Sequence, residues 1–462
     1  MGIKYIARAS IMSVVILSFL GCTTTEQQPG HSKIIAATTV LTESRKLATV
    51  SQAYLDAQMD QSKQTVHPTT VFAKYGTGVA YVEQVDGNSR VVHNGVPGKL
   101  YLMAGDVALS NDGSRVAYVA HKDDKFKKIV VDGWDGPLFT ETGMPTFSPD
   151  GKHHLYTVTE GNNTYNVLDH KVHHEYQVTH NPVFSPDSRY IAFSARTPDG
   201  KGSQLILSDL SLKDKKIIDS CGDSYTPSDD GTRLAVVCSE GDKLSVKVVD
   251  FKSRSVISSG QTHTGGRIAR LRFAPDNRTV AYTIVKSDSE RYIVFNGREE
   301  KIPTGDEFLS DLIVLSEPEH VAVVIGTAVN ARLYHAFQVK KTAGNSYGYI
   351  SDLVSSRDGR HYAYIAIKAG GEERMSIVID GNEGPLLDKI VSPAFSPDGR
   401  YLVYRARQSG KRFLVVNDLK GKVVHQHKDY DMVFQPTFTE DGKSVAYGVL
   451  DGFEFWWKVE KL

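Results

Sequence analysis

Apolar positions in this chain come in short alternating runs. After Gly399, Leu402 and Tyr404 share one face and Val403 takes the other. That period of two belongs to a strand. The residues ahead of it, Phe395-Ser-Pro-Asp-Gly399, spell a tight turn. Proline pre-sets φ near −65°, aspartate bonds its own turn, and glycine takes the left-handed position of a short hairpin loop.

The unit recurs. Phe147-Ser-Pro-Asp-Gly-Lys leads into Tyr156, and Phe184-Ser-Pro-Asp-Ser-Arg into Phe193. Phe273-Ala-Pro-Asp-Asn-Arg leads into Tyr282, and Phe438-Thr-Glu-Asp-Gly-Lys into Tyr447. Looser copies run to Tyr118, Val236 and Tyr364, and degenerate ones join Gly76 to Tyr81 and Pro318 to Val323. Turn positions fall at 76, 113, 151, 188, 231, 277, 318, 359, 399 and 442. The mean period is roughly 41 residues, in the range of propellers, solenoids and arrays.

Each unit holds four candidate strands. A second set of turns, Asn94-Gly95, Asp132-Gly133, Asn296-Gly297 and Asp380-Gly381, predicts a hairpin between the third and the fourth. Repeated four-stranded antiparallel units of this length predict an all-β chain, a β-propeller of ten units. The aromatics after the turns, from Tyr118 to Tyr447, are expected to pack between blades. The turn aspartates recur too regularly to be catalytic and are expected to serve geometry.

The Phe-Ser-Pro-Asp-Gly-Arg/Lys unit and its following strand resemble the WD-repeat-like propeller repeat of the TolB family, over residues 65–462. That resemblance implies a β-propeller and a binding role in the cell envelope. The family's namesake also carries an α/β domain ahead of its propeller, for which this chain leaves no room. Some propellers of this kind are metal-assisted lyases acting on acidic sugars, so a polysaccharide lyase or a hydrolase is the alternative. Ten units exceed the common four to eight blades, so one large ring, two smaller rings and units that are not full blades all stay open. The chain ends in a third-strand run, Phe453-Glu-Phe-Trp-Trp-Lys-Val459. A segment before residue 72 is therefore expected to supply the missing fourth strand and close the ring.

The amino terminus adds a location. Lys4 and Arg8 precede an apolar stretch, Ile11 to Leu20, of secretory-signal length. It ends in Phe19-Leu20-Gly21-Cys22, which resembles the lipobox of bacterial lipoproteins. Residues 1–21 then read as a signal peptide and Cys22 as the site of lipid attachment. Residues 22–62 read as a tether. Within it, Ser44 to Gln61 is spaced for a short helix on Leu47, Val50, Tyr54 and Leu55. The propeller is expected over residues 63–462. Thr23 after the cysteine favours, by family rule, the periplasmic side of the outer membrane.

Composition excludes one class. Lys+Arg and Asp+Glu are both 54, and no basic run interleaves with aromatics, so nucleic acid is not an expected partner. Cys221 and Cys238 flank the turn at Gly231 at similar distances, so a cross-strand disulfide is expected, with two free thiols as the alternative. His170, His173, His174, Glu175 and His180 cluster, with His153 and His154 ahead of them, and could offer metal ligands. On a strand His170 and His173 would face opposite ways, so they are weak candidates and no cofactor is expected. Gly344-Asn-Ser-Tyr-Gly348 matches the nucleophile-elbow spacing, yet the next residues read as another strand and turn, so a loop is expected. These readings predict a non-catalytic scaffold for an envelope protein, peptide or glycan.

Overall fold

The computed structural model describes residues 41–59, 70–287, 289–303, 308–317, 319–327, 329–338, 345–369, 374–439 and 441–462. Residues 1–21, expected to be a signal peptide, and Cys22 lie outside them. Among the described residues the strands form ten antiparallel sheets, and one helix, Gln52–Met59, accompanies them. Blade 9 is representative: Lys389–Phe395, Tyr401–Gln408, Lys411–Asp418 and Val423–Gln426 pair in chain order. Blade 7 shows three strands, Phe308–Ser316, Glu319–Thr327 and Asn330–Ala336, among the described residues.

Each sheet packs on the next, and first strands meet first strands from blade 4 through blade 9. The first strands therefore surround the axis. The last sheet returns to the first: Tyr81 and Val79 share a core with Leu450 and Phe455. Gly448 is pressed against the Phe72 ring and Gly76 against Trp457, where any side chain would collide. The chain is a β-propeller closed at ten blades.

Closure uses the amino-terminal strand. Leu41–Thr49 runs antiparallel to Glu454–Lys461, from Leu41 opposite Glu460 to Thr49 opposite Glu454. The fourth strand of blade 10 thus comes from before residue 72, as expected. Two expectations change with it. Residues 44–49 are strand rather than helix, and the propeller begins at Leu41 rather than at residue 63. The open edge of a long third strand offers a full ladder of backbone bonds, and this outweighs a helical spacing of four apolar residues. The helix starts only at Gln52, where the Ser51 hydroxyl accepts the Tyr54 amide at 3.1 Å. Tyr54 is fully buried, with its ring 5.0 Å from Tyr81 and 5.5 Å from Phe455.

The aromatics after the turns fill the seams. Tyr118, Tyr156, Phe193, Tyr282, Tyr364, Tyr404 and Tyr447 are all buried. Several seams add a polar relay. Tyr101 donates to Asp135 at 2.5 Å beside Tyr118. His263 lies 2.8 Å from the Tyr282 hydroxyl and 3.0 Å from Glu299. His427 lies 2.7 Å from Glu460, to which Tyr447 donates. Burial raises the Tyr118 and Tyr156 phenols to about 12, so both stay protonated.

The turns form a second annulus. In the Ser-x-Asp turns the serine hydroxyl donates to the aspartate two residues on, at 2.6 Å for Ser148, Ser185, Ser228 and Ser356. The same oxygen accepts the amide five residues on, at 3.0 Å in each case. Asn94-Gly95, Asp132-Gly133, Asn296-Gly297 and Asp380-Gly381 have positive φ at both residues, as two-residue hairpin turns require.

Candidate functional site

The first strands are interrupted at a common level. Opposite the second strand, register breaks between Gly105 and Ala108, Ala269 and Arg272, Ser351 and Val354, and Val391 and Ala394. Blades 4, 5 and 7 break at the same level. In blades 3 and 10 the first strand is split in two, around Met144 and Gln435. Each break is a bulge, which bends a strand and re-aims a side chain.

The bulged residue lies seven positions before its turn. At four blades it holds a left-handed backbone: Asp106 at φ +48°, Arg270 at +54°, Asp352 at +51° and Ser392 at +55°. An arginine or serine gains nothing locally from that conformation, so the surrounding sheet imposes it. Asp106, Met144, Arg270, Asp352 and Gln435 are exposed on these innermost strands, and Asp311 and Ser392 are half-buried. They make a ring of side chains around the axis, three of them aspartates. Arg270 donates to the Leu309 carbonyl of the next blade at 3.2 Å. Between the first strands of blades 1 to 4 lies a cleft of about 700 Å³, lined by Val71, Leu109, Met144, Phe147 and Phe184.

This ring was not read from the sequence. Its signal was present: Pro145, Pro182, Pro393 and Pro436 follow the bulged residue in four blades. A proline inside a strand marks a bulge or an edge.

The residues singled out beforehand sit elsewhere. Cys221 pairs directly opposite Cys238 on adjacent strands of blade 5, and the two form a disulfide. His170, His173 and His174 are near the outer rim of blade 3 and turn to different neighbours. His170 packs against Trp134 at 4.0 Å and His154 at 4.3 Å between ring centres. His173 is buried 3.6 Å from Glu175, and His174 lies 2.9 Å from Glu160. His180 is on the first strand of blade 4. Burial lowers His154 to about 4, so its ring is neutral at neutral pH. Among the described residues no three of His, Cys, Asp or Glu come together as metal ligands. Ser346 is exposed in the connection before the strand Tyr349–Ser355, and Tyr347 bridges to Ala331. No helix follows, so the nucleophile-elbow geometry is not met there. The turn aspartates hold their own loops. Asp112, Asp150 and Asp441 sit below the usual carboxylate range, first because Ser110, Ser148 and Thr439 donate to them and then because backbone amides do.

No family profile matches the chain, and no curated protein matches its sequence. Among solved structures it is similar to a eukaryotic initiation factor, at 13% identity over 79% of this chain and 96% of that one, TM-score 0.42. It is similar to the Dos1 propeller at 12% identity, over 70% and 92% of the two chains, TM-score 0.38. It is similar to TolB from Acinetobacter baumannii at 15% identity, over 62% and 81%, TM-score 0.28. At such identities and TM-scores the likenesses carry no inference about what this chain does.

Proposed function

We propose that this chain is a lipid-anchored envelope protein of TolB-like type whose propeller is a non-catalytic binding scaffold. The contrast between two rings of residues supports this reading. Residues that hold each turn are repeated from blade to blade, whereas the bulged residues around the axis mix Asp106, Asp311 and Asp352 with Met144, Arg270, Ser392 and Gln435. A repeated framework with a varied inner wall suits recognition of one extended partner by many dissimilar contacts. The disulfide in blade 5 fits an oxidising compartment. Cys22 after its apolar segment would hold the protein to a membrane, on the periplasmic side of the outer membrane. The partner is an envelope protein or peptide, with a glycan as the other class.

A photo-crosslinker placed at Gln435 on the inner wall should capture a discrete partner in intact cells. The same group at Ser258 on the rim should not. Equal yields from both positions would overturn the inner-wall reading. Cys22→Ser should move the protein from the membrane fraction to the soluble one; membrane retention of that variant would remove the lipid anchor from the proposal.

A further inference from the structure

Six residues past each turn, the second strand faces the seam near the axis. The other nine blades place valine, isoleucine, threonine, serine or glycine there, from Val82 to Gly448. Blade 9 places Arg405. Its guanidinium reaches across to blade 10 and donates to the Val433 carbonyl at 3.1 Å, and it donates to the Ser392 hydroxyl of its own blade at 2.9 Å. Its Nε is buried without a hydrogen-bond partner. Among the described residues no carboxylate forms an ion pair with it. Burial alone acts on its pKa, and lowers it.

A half-buried guanidinium without a counter-charge is costly, and an apolar side chain of similar size would normally be better there. Two of its five N–H groups are used, both on neutral oxygens. Ser392 is the bulged residue of blade 9, at φ +55°. Because its oxygen accepts from Arg405, its own hydrogen is left to donate. Gln435, the corresponding bulged residue of blade 10, is exposed two positions beyond Val433. An arginine fork, a hydroxyl and an amide thus come from two adjacent blades, at the inner ends of their sheets.

We propose that Arg405, Ser392 and Gln435 form a carboxylate-binding subsite in the inner wall, and that it takes an acidic group of a peptide partner. This rests on the scaffold reading and names the chemistry its wall recognises. The planar fork of arginine matches a carboxylate; Ser392 stands 2.9 Å from it, and Gln435 adds an exposed amide two positions beyond the Val433 carbonyl that the fork holds. An acidic side chain and a free chain terminus carry the same group.

The test uses the purified full chain and succinate as probe, with chloride at equal ionic strength as the control. Succinate should raise the melting temperature by about 1–2 °C at concentrations about ten-fold above its Kd. Arg405→Met should abolish that rise, and without succinate it should melt no lower than the parent protein. Gln435→Ala should weaken the response with the ring intact. A parent protein indifferent to succinate overturns the proposal, as does an Arg405→Met variant that melts lower yet keeps the rise, since that is the mark of a structural arginine. Glutamate-containing peptides with free or amidated ends then separate side-chain from terminal recognition. An oligouronate that binds where every such peptide fails would overturn the peptide assignment. Succinate binding concerns the subsite alone, whereas loss of crosslinking at Gln435 concerns the scaffold reading, so the two can fail separately.

Discussion

Among the described residues two turns depart from glycine at the left-handed position, and both departures have a use. Ser188 sits at φ +60° and Asn277 at +54°. The Ser188 hydroxyl accepts the Asp150 amide of the preceding blade at 3.0 Å, and the Asn277 side chain accepts the Asp229 amide at 3.0 Å. Each exchanges backbone ease for a bond between blades. Asn277→Ala loses the bond and keeps the awkward φ, so it should cost about 1–2 kcal/mol in urea unfolding. Asn277→Gly loses the bond but relieves the backbone, and should cost less. A glycine variant as weak as the alanine one would contradict this division. The turn aspartates set the acid limit. Asp112 and Asp150 are depressed in the folded state, so their stabilisation is complete above the unfolded value of 3.8 and fades as pH falls through the folded one. The melting temperature should stay level down to about pH 5 and drop below about pH 4. Ser148→Ala should make that acid-dependent drop smaller; an unchanged drop would show that the hydroxyl does not hold Asp150.

At the level of the element, the first strand is where expectation and structure diverge most. Its alternation was legible, and so was the turn that ends it. Its bulge was legible only through the proline that follows it in four blades; elsewhere an extra residue costs little locally and is imposed by the facing second strand. The cysteine pair was legible for the opposite reason. Near-equal distances from one turn bring two residues of a hairpin face to face, whatever lies around them. Sixteen residues lie between Cys221 and Cys238. Replacing both by serine should lower the unfolding free energy by about 3 kcal/mol in the chain-entropy picture, read from denaturant melts under non-reducing conditions. If parent and variant melted alike, the bridge would be contributing nothing to stability.

For the whole molecule, the decisive element is the strand Leu41–Thr49. Its outward residues are exposed, yet it completes the sheet that meets both blade 9 and blade 1. Deleting residues 41–49 should leave the edge of Glu454–Lys461 open and strip the cover from Phe455 and Trp457. The melting temperature should fall sharply, and a strand peptide of that sequence added in excess should recover part of the loss. An unchanged melting point would mean that the ring closes without it. The inner wall belongs to this scale as well. Arg270, Ser392 and Gln435 are far apart in the chain and share a level only because the blades are arranged about one axis.

The sequence alone determined the repeat, the turn chemistry, the number of units and the buried aromatic in most seams. Each of these is enforced within about forty residues, by φ preferences, period-two alternation and short hairpin loops. Tertiary structure alone decided that residues 44–49 become a strand, that the first strands bulge even in blades without the proline, and that Arg405 stands without a counter-charge. Those outcomes depend on which edge lies open and which backbone lies opposite, and no local window contains that information.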